Sequence, residues 1–305
     1  MKAGIGILMI TSLFACRPSL SLQRSETGVL ISEKGKLVMG YQAAPLQING
    51  AFERAGYVHP LYNLDGVILT EDGPADHPYH RGIYWAWHQV LQGGKSVADG
   101  WVSEGISFSP LKMNSGKRRG AAYIDAELRW ILTEAANQPE IIREHTAILV
   151  HPATAHYRAI DFTIRLVPKM DSVALGGAND EKGYGGFCLR FALPSDISFH
   201  SGGHKIAARE KAVEAAAWMD FSGSFETGKK SGLTLLVHPE STGASTSWIL
   251  REKKSMQNSV FPGRIPRLLP PDGWTLKYRL IVHDGSMSGP QLERLYQTYI
   301  TVSNH

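Results

Sequence analysis

Cysteine is scarce in this 305-residue chain, which carries only Cys16 and Cys188. A disulfide framework and a zinc ribbon are both excluded, because neither can be built from two thiols with no Cys-x-x-Cys spacing. An excess of one charge is also missing. Lys and Arg number 32 against 28 Asp and Glu, and the densest basic run is Lys117-Arg118-Arg119. Nucleic acid is therefore not an expected partner. Long apolar runs are absent after residue 15, so a polytopic helical membrane protein is excluded. No Gly-rich phosphate loop follows a strand and no Gly-x-Ser-x-Gly occurs, which argues against a nucleotide cofactor and a standard serine hydrolase. What remains is an ordinary globular composition, 43% hydrophobic and 20% charged, long enough to bury a full core.

The one apolar run is Gly4 to Ala15, behind Lys2. Twelve residues are short for a bilayer span but suit a secretory signal. It ends in Leu13-Phe14-Ala15-Cys16, similar to a bacterial lipobox, with a bulky Phe14 where a smaller residue is usual. The expectation is a signal peptide over residues 1–16, lipidation at Cys16, and a mature protein held at the cell envelope by that lipid alone. Residues 17–27 are mostly polar and read as a tether, which places the folded domain at 28–305.

Strand patterns dominate that domain. Val29 to Ser32 and Lys36 to Gln42 flank a hairpin turn at Glu33-Lys34-Gly35. Ala121 to Thr133 alternates cleanly, with Ile124, Ala126, Leu128, Trp130 and Leu132 on one face. Tyr157 to Val167 does the same with Ile160, Phe162, Ile164 and Leu166. Further strands are expected at Gly66 to Thr70, Gly82 to Val90, Ile141 to Val150, Gly186 to Ala192, Ala215 to Phe221, Leu233 to Val237 and Trp274 to Val282. Helical periodicity is confined to Gln291 to Val302, whose stripe is Leu292, Leu295, Tyr296, Tyr299 and Ile300, behind a Ser288 cap and Pro290. The chain thus reads as all-β, a single large antiparallel β-sandwich with one C-terminal helix.

The densest polar cluster lies between strands, at Asp72-Gly73-Pro74-Ala75-Asp76-His77-Pro78-Tyr79-His80-Arg81-Gly82. Pro78 rules out a helical zinc motif, while Pro and Gly fix a loop without long-range packing. Imidazoles transfer protons near neutral pH, and a guanidinium offers a planar fork of donors. His77, His80, Arg81 and Asp76 are therefore the candidate catalytic residues, joined by His59, which ends an earlier extended segment before Pro60. A divalent metal on His59, His77 and His80 is compatible with their spacing but not required by it. The competing reading is a hydrogen-bonded turn.

Several other residues could line a pocket with that loop. The following strand places Trp85 and Trp87 on one face and Tyr84 and His88 on the other, with at least one Trp expected in the core. Trp87 or the loop residue Trp101 is expected to form an aromatic wall, since indole stacks on the C–H face of a sugar ring. His238, before Pro239, is expected at a strand end. His145 and Arg143 share a strand face and could point into a cleft. Arg190 sits inside a strand and needs a partner, for which Asp220 is a candidate. Cys188 in Phe187-Cys188-Leu189 reads as a small buried apolar residue.

His59-Pro60-Leu61-Tyr62, Asp65-Gly66-Val67 and the run from Asp72 to Tyr84 together resemble a bacterial family with a "DHPxHRG" signature, commonly labelled "methane oxygenase PmoA". The resemblance continues through Tyr184-Gly185-Gly186, Trp218 to Gly223, His238-Pro239 and Val282 to Gly285. Where that family usually follows His-Pro with Ser-Asn, this chain has Glu240-Ser241. The methane-oxidising subunit of that name is a polytopic membrane protein, so the label implies no such activity here. Members commonly accompany sugar-processing genes, and the strand order is similar to the galactose-mutarotase-like supersandwich. The resemblance therefore implies a carbohydrate ligand. Two functions follow as expectations: an enzyme cleaving or isomerising a sugar by His-based acid/base chemistry, or a non-catalytic glycan-binding lipoprotein.

Overall fold

The computed structural model describes residues 20–225, 228–253 and 256–302. Residues 1–16, including Cys16 and its expected lipid, lie outside them. Among the described residues, strands form two nine-stranded sheets, a four-stranded sheet and a two-stranded ribbon, and every pairing between strands is antiparallel. The two large sheets pack face to face. One apolar cluster draws on both, from Ile31, Trp85 and Phe187 of the first to Ile124, Ile164 and Leu280 of the second. The chain is an all-β sandwich.

The alternating segments behave as their period requires. Ala121–Leu132 buries every second residue, and in Tyr157–Pro168 the side chains of Ile160, Phe162, Ile164 and Leu166 are buried. The hairpin of Gly28–Glu33 and Lys36–Gln42 turns at Lys34 and Gly35, both with positive φ, the backbone of a two-residue turn that matches strand twist. The helix Gly289–Val302 packs Leu292 and Tyr299 on Trp218, Leu236 and Ile281 of the second sheet. At its start, Gln291 Oε1 reaches back to accept from the Ser288 backbone N–H at 2.9 Å and from the Ser288 hydroxyl at 2.8 Å.

Four expectations need correction. The tether over 17–27 is in part a strand, since Leu20–Arg24 pairs with Gly28–Glu33 and buries Leu20. Gly66 to Thr70 is no strand, and holds only the bridges Tyr62 to Ile68 and Thr70 to Phe191. The strand through Gly82 to Val90 breaks at His88, which separates Ile83–Trp87 from Gln89–Gln92. Finally, Ile106–Arg118 is a thirteen-residue strand that apolar alternation did not mark. It lies at the edge of the second sheet, where Lys112, Lys117, Arg118 and a bulge after Pro110 keep it polar.

The first sheet is covered on both faces, and this positions the site. Along Ile83–Trp87, the side chains of Ile83, Trp85 and Trp87 enter the sandwich core. Tyr84 and Ala86 face the other way, into a smaller cluster with Tyr57, Trp101, Cys188 and Met256. Loops close over that outer cluster and leave one cleft.

Candidate active site

The cleft has a volume of about 130 Å³ and is lined by His77, Tyr79, His80, His88, Trp101, Lys182, Tyr184, Arg190 and Met256. Its floor comes from the first sheet, where Arg190 follows Cys188 by two residues and so shares its outward face. Its walls come from three loops.

The first wall is a pair of linked turns. The His77 N–H donates to Pro74 O at 3.0 Å, and the His80 N–H donates to His77 O at 2.9 Å. Pro78 is thus the second residue of a β-turn, where its fixed φ is favoured. The two imidazoles occupy the ends of that turn, which brings their rings into parallel contact with centroids 4.6 Å apart. Behind them sits Arg190, 3% exposed. It donates to His80 Nδ1 at 3.0 Å, to Asp76 Oδ1 at 2.8 Å and to Glu71 Oε2 at 3.0 Å. A guanidinium can only donate, so His80 Nδ1 is an acceptor and its proton is on Nε2. Burial is the main reason that the His80 pKa falls to about 2, reinforced by the Arg190 cation and by His77. His80 is a neutral hydrogen-bond donor.

Asp76 completes this wall by holding His77 Nδ1 at 2.8 Å through its second oxygen. Burial raises the Asp76 pKa, but the hydrogen bonds from His77 and Arg190 outweigh it and hold the carboxyl at about 2. The second wall repeats the device. Asp99 Oδ1 accepts the backbone N–H groups of Trp101 and Val102, and Asp99 Oδ2 holds His88 Nδ1 at 2.9 Å. One carboxylate folds the turn and orients the imidazole. His88 stacks on the Trp101 indole at 5.0 Å, while His80 meets the same indole edge-on at 5.8 Å. The third wall is the loop before Gly185, where Asp180 Oδ1 accepts the N–H groups of Lys182 and Gly183. Tyr184 packs on Trp101 at 5.5 Å, and its hydroxyl accepts from Arg251 Nε at 2.8 Å.

The expected residues divide sharply. His77, His80, His88, Trp101 and Arg190 line one cleft, and Asp76 supports it. Arg81 does not. It is fully buried beneath the loop, donates to the carbonyls of Leu46 and Phe52 at 2.6 and 2.7 Å, and pairs with Asp72 at 3.4 Å. It ties the ribbon Leu46–Ile48 and Ala51–Arg54 to the loop and is structural. His59 is also outside the cleft lining; its Nδ1 meets the Thr70 hydroxyl at 3.0 Å, and burial lowers its pKa. Trp87 is plain core, tilted against Trp130 and edge-on to Trp274, with its indole N–H on Phe261 O.

His238 is buried under the C-terminal helix, edge-on to Tyr299 at 5.0 Å. His145 lies on the outer face of the second sheet, in a separate hollow of about 370 Å³. Alternation from Ile142 to Val150 sends Glu144 inward to hold the Trp130 N–H and leaves Arg143 and His145 outward. Asp220 serves His283 at 2.8 Å rather than Arg190. Cys188 is fully buried, and burial raises its thiol pKa. The proposed metal set also separates. Among the described residues, no group of three or more His, Cys, Asp or Glu side chains is placed to hold a metal ion.

Sequence reasoning missed Asp99 as an imidazole holder, and Tyr79, Lys182 and Met256 as lining residues. Asp-Gly at 99–100 signals a turn. Nothing local signals that the turn closes over His88.

Over residues 28–297 the chain matches the family of unknown function DUF6807, and it belongs to that family. No curated protein matches it.

Proposed function

We propose that this protein is an enzyme that binds a carbohydrate and moves a proton on it by imidazole acid/base chemistry. The observation that carries the reading is the paired Asp–His arrangement around one cleft. Asp76 holds His77 and Asp99 holds His88, each through Nδ1, which leaves Nε2 of both rings as the basic nitrogen. His80 supplies a fixed donor to a substrate oxygen without carrying charge. Asp76 and Asp99 are committed to imidazoles, Glu71 to Arg190 and Asp180 to the turn at Lys182, so the two free carboxyl groups of an ordinary glycosidase are not what this site offers. Proton abstraction beside a carbonyl, as in epimerisation or elimination, fits better.

A glycan-binding module would present an open aromatic face. Here Trp101 is 2% exposed and one face is stacked by His88, which favours the enzyme over the binding lipoprotein. The resemblance of the run from Asp72 to Tyr84 to a family whose members accompany sugar-processing genes supports the carbohydrate class, and Cys16 supports a lipid-anchored place in the cell envelope.

The test is proton exchange, elimination or cleavage followed by NMR in D₂O, across a panel of reducing sugars, uronates and oligosaccharides. Asp99→Asn should keep the fold and lower kcat by about 10² or more, because the amide no longer fixes His88 for proton transfer. Full activity in that variant, or binding of a saccharide with no turnover of any, would overturn the enzymatic reading.

A further inference from the structure

We infer that the ligand is an acidic saccharide longer than one sugar residue, whose carboxylate is held beside Lys182; this rests on the carbohydrate reading above. Lys182 and Tyr184 also line a second hollow, of about 310 Å³, so the two hollows adjoin at these residues. A ligand longer than one sugar residue, seated against the imidazoles and passing Lys182 and Tyr184, would reach the second hollow.

The chemistry of the second hollow is cationic. Its lining carries Lys182, Arg209, Arg251 and Lys253 against Glu210 and Glu252. The nearest anionic influence on Lys182 is Asp180, and among the described residues none of those four cations is within 4.0 Å of a carboxylate oxygen. Arg251 shows this most clearly. Its guanidinium donates to Arg209 O at 2.6 Å, Glu210 O at 2.9 Å, Leu250 O at 2.8 Å and the Tyr184 hydroxyl, all of them neutral. A half-buried cation with only neutral partners keeps its field for a ligand. Lys182 is held at the junction by the Asp180 turn, and Gly183, with φ of 65°, lies against the Arg264 backbone. The backbone of Lys182 is therefore set before a ligand arrives, while its exposed ammonium lines both hollows and shares its field with the Asp180 carboxylate. An ammonium at that junction can neutralise a sugar carboxylate while the sugar faces His88. Charge neutralisation also acidifies the C–H next to a carboxylate, which is the proton that the imidazoles are placed to take.

The test is calorimetric binding of uronate oligosaccharides from several acidic polysaccharides, each compared with its carboxyl-reduced neutral counterpart and with a sulfated neutral one. At least one uronate oligosaccharide should bind. Its affinity should fall about tenfold or more on carboxyl reduction, on Lys182→Ala, and on raising salt from about 50 to about 500 mM. Lys182→Arg should retain most of it. Equal binding of the reduced saccharide, preference for the sulfated one, or no binding to any member would overturn the inference. The two readings separate cleanly. Uronate bound but never turned over, with wild type and Asp99→Asn alike, would sink the chemistry and leave the acidic ligand. Turnover of neutral saccharides alone would do the reverse.

Discussion

His80 should remain neutral, protonated on Nε2, across the whole range in which the protein is folded. The perturbation is acid. Burial and the Arg190 cation lower its pKa to about 2, against 6.5 for a free imidazole. The gap is about 4.5 pH units, or about 6 kcal/mol against protonation in the native state. Unfolding returns the ring to its free value, so the unfolded chain binds the extra proton below pH 6.5 and the native state does not. The stability that His80 contributes is therefore complete above pH 6.5 and is lost as pH falls. By pH 4.5 the loss from this group is about 3 kcal/mol.

Two measurements check this. Long-range ¹H–¹⁵N spectra of histidine-labelled protein should show His80 in the Nε2–H form, unchanged from pH 8 to pH 4. Arg190→Gln should raise the His80 pKa, because the cation is removed, yet leave it below 6.5, because burial is the larger cause and stays. The variant should also lose stability, towards the lower end of about 3–5 kcal/mol since Glu71 and Asp76 can be solvated. A His80 that titrates near 6.5 in the wild type, or that carries its proton on Nδ1, would refute the reasoning.

Other outcomes follow from the same geometry. Arg81→Ala should lower the thermal midpoint by an amount equivalent to about 3 kcal/mol, since it strands two partly buried carbonyls and the Asp72 carboxylate, while the His80 tautomer signature stays unchanged. Gly186→Ala should cost about 3 kcal/mol or prevent folding. Its φ is 110°, and a Cβ there would lie 2.4 Å from Ser259 O of the neighbouring strand; chemical denaturation measures the loss. Cys16→Ser should release the protein from membranes or leave it unprocessed, and unchanged lipid labelling on fractionation would defeat the anchor.

The site was half legible. Asp76-His77-Pro78-Tyr79-His80 announces itself because the groups are contiguous and Pro78 fixes a turn, so the convergence of two imidazoles is a local matter. Contiguity misleads at Arg81, which shares the run but not the cleft. One residue further on, the chain turns into the first sheet, and the side chain points beneath the loop to the ribbon. His145 shares a face with Arg143 as alternation requires, but that face of the second sheet opens onto a separate hollow rather than the cleft, which is a matter of tertiary packing.

The sequence by itself determined the architecture. Period-two patterning along the long strands, a positive-φ turn at Lys34-Gly35 and one amphipathic stripe behind Ser288-Gly289-Pro290-Gln291 each act within about a dozen residues, so they fold the same way wherever the chain goes next. Only the tertiary structure decided which ionisable groups meet. Arg190 and His80 are separated by 110 positions yet share a hydrogen bond, and Lys182 reaches the cleft from a third loop. Sheet order brings these segments together, and sheet order depends on which strands bury the most apolar surface against each other, a property of the whole core that no local pattern carries.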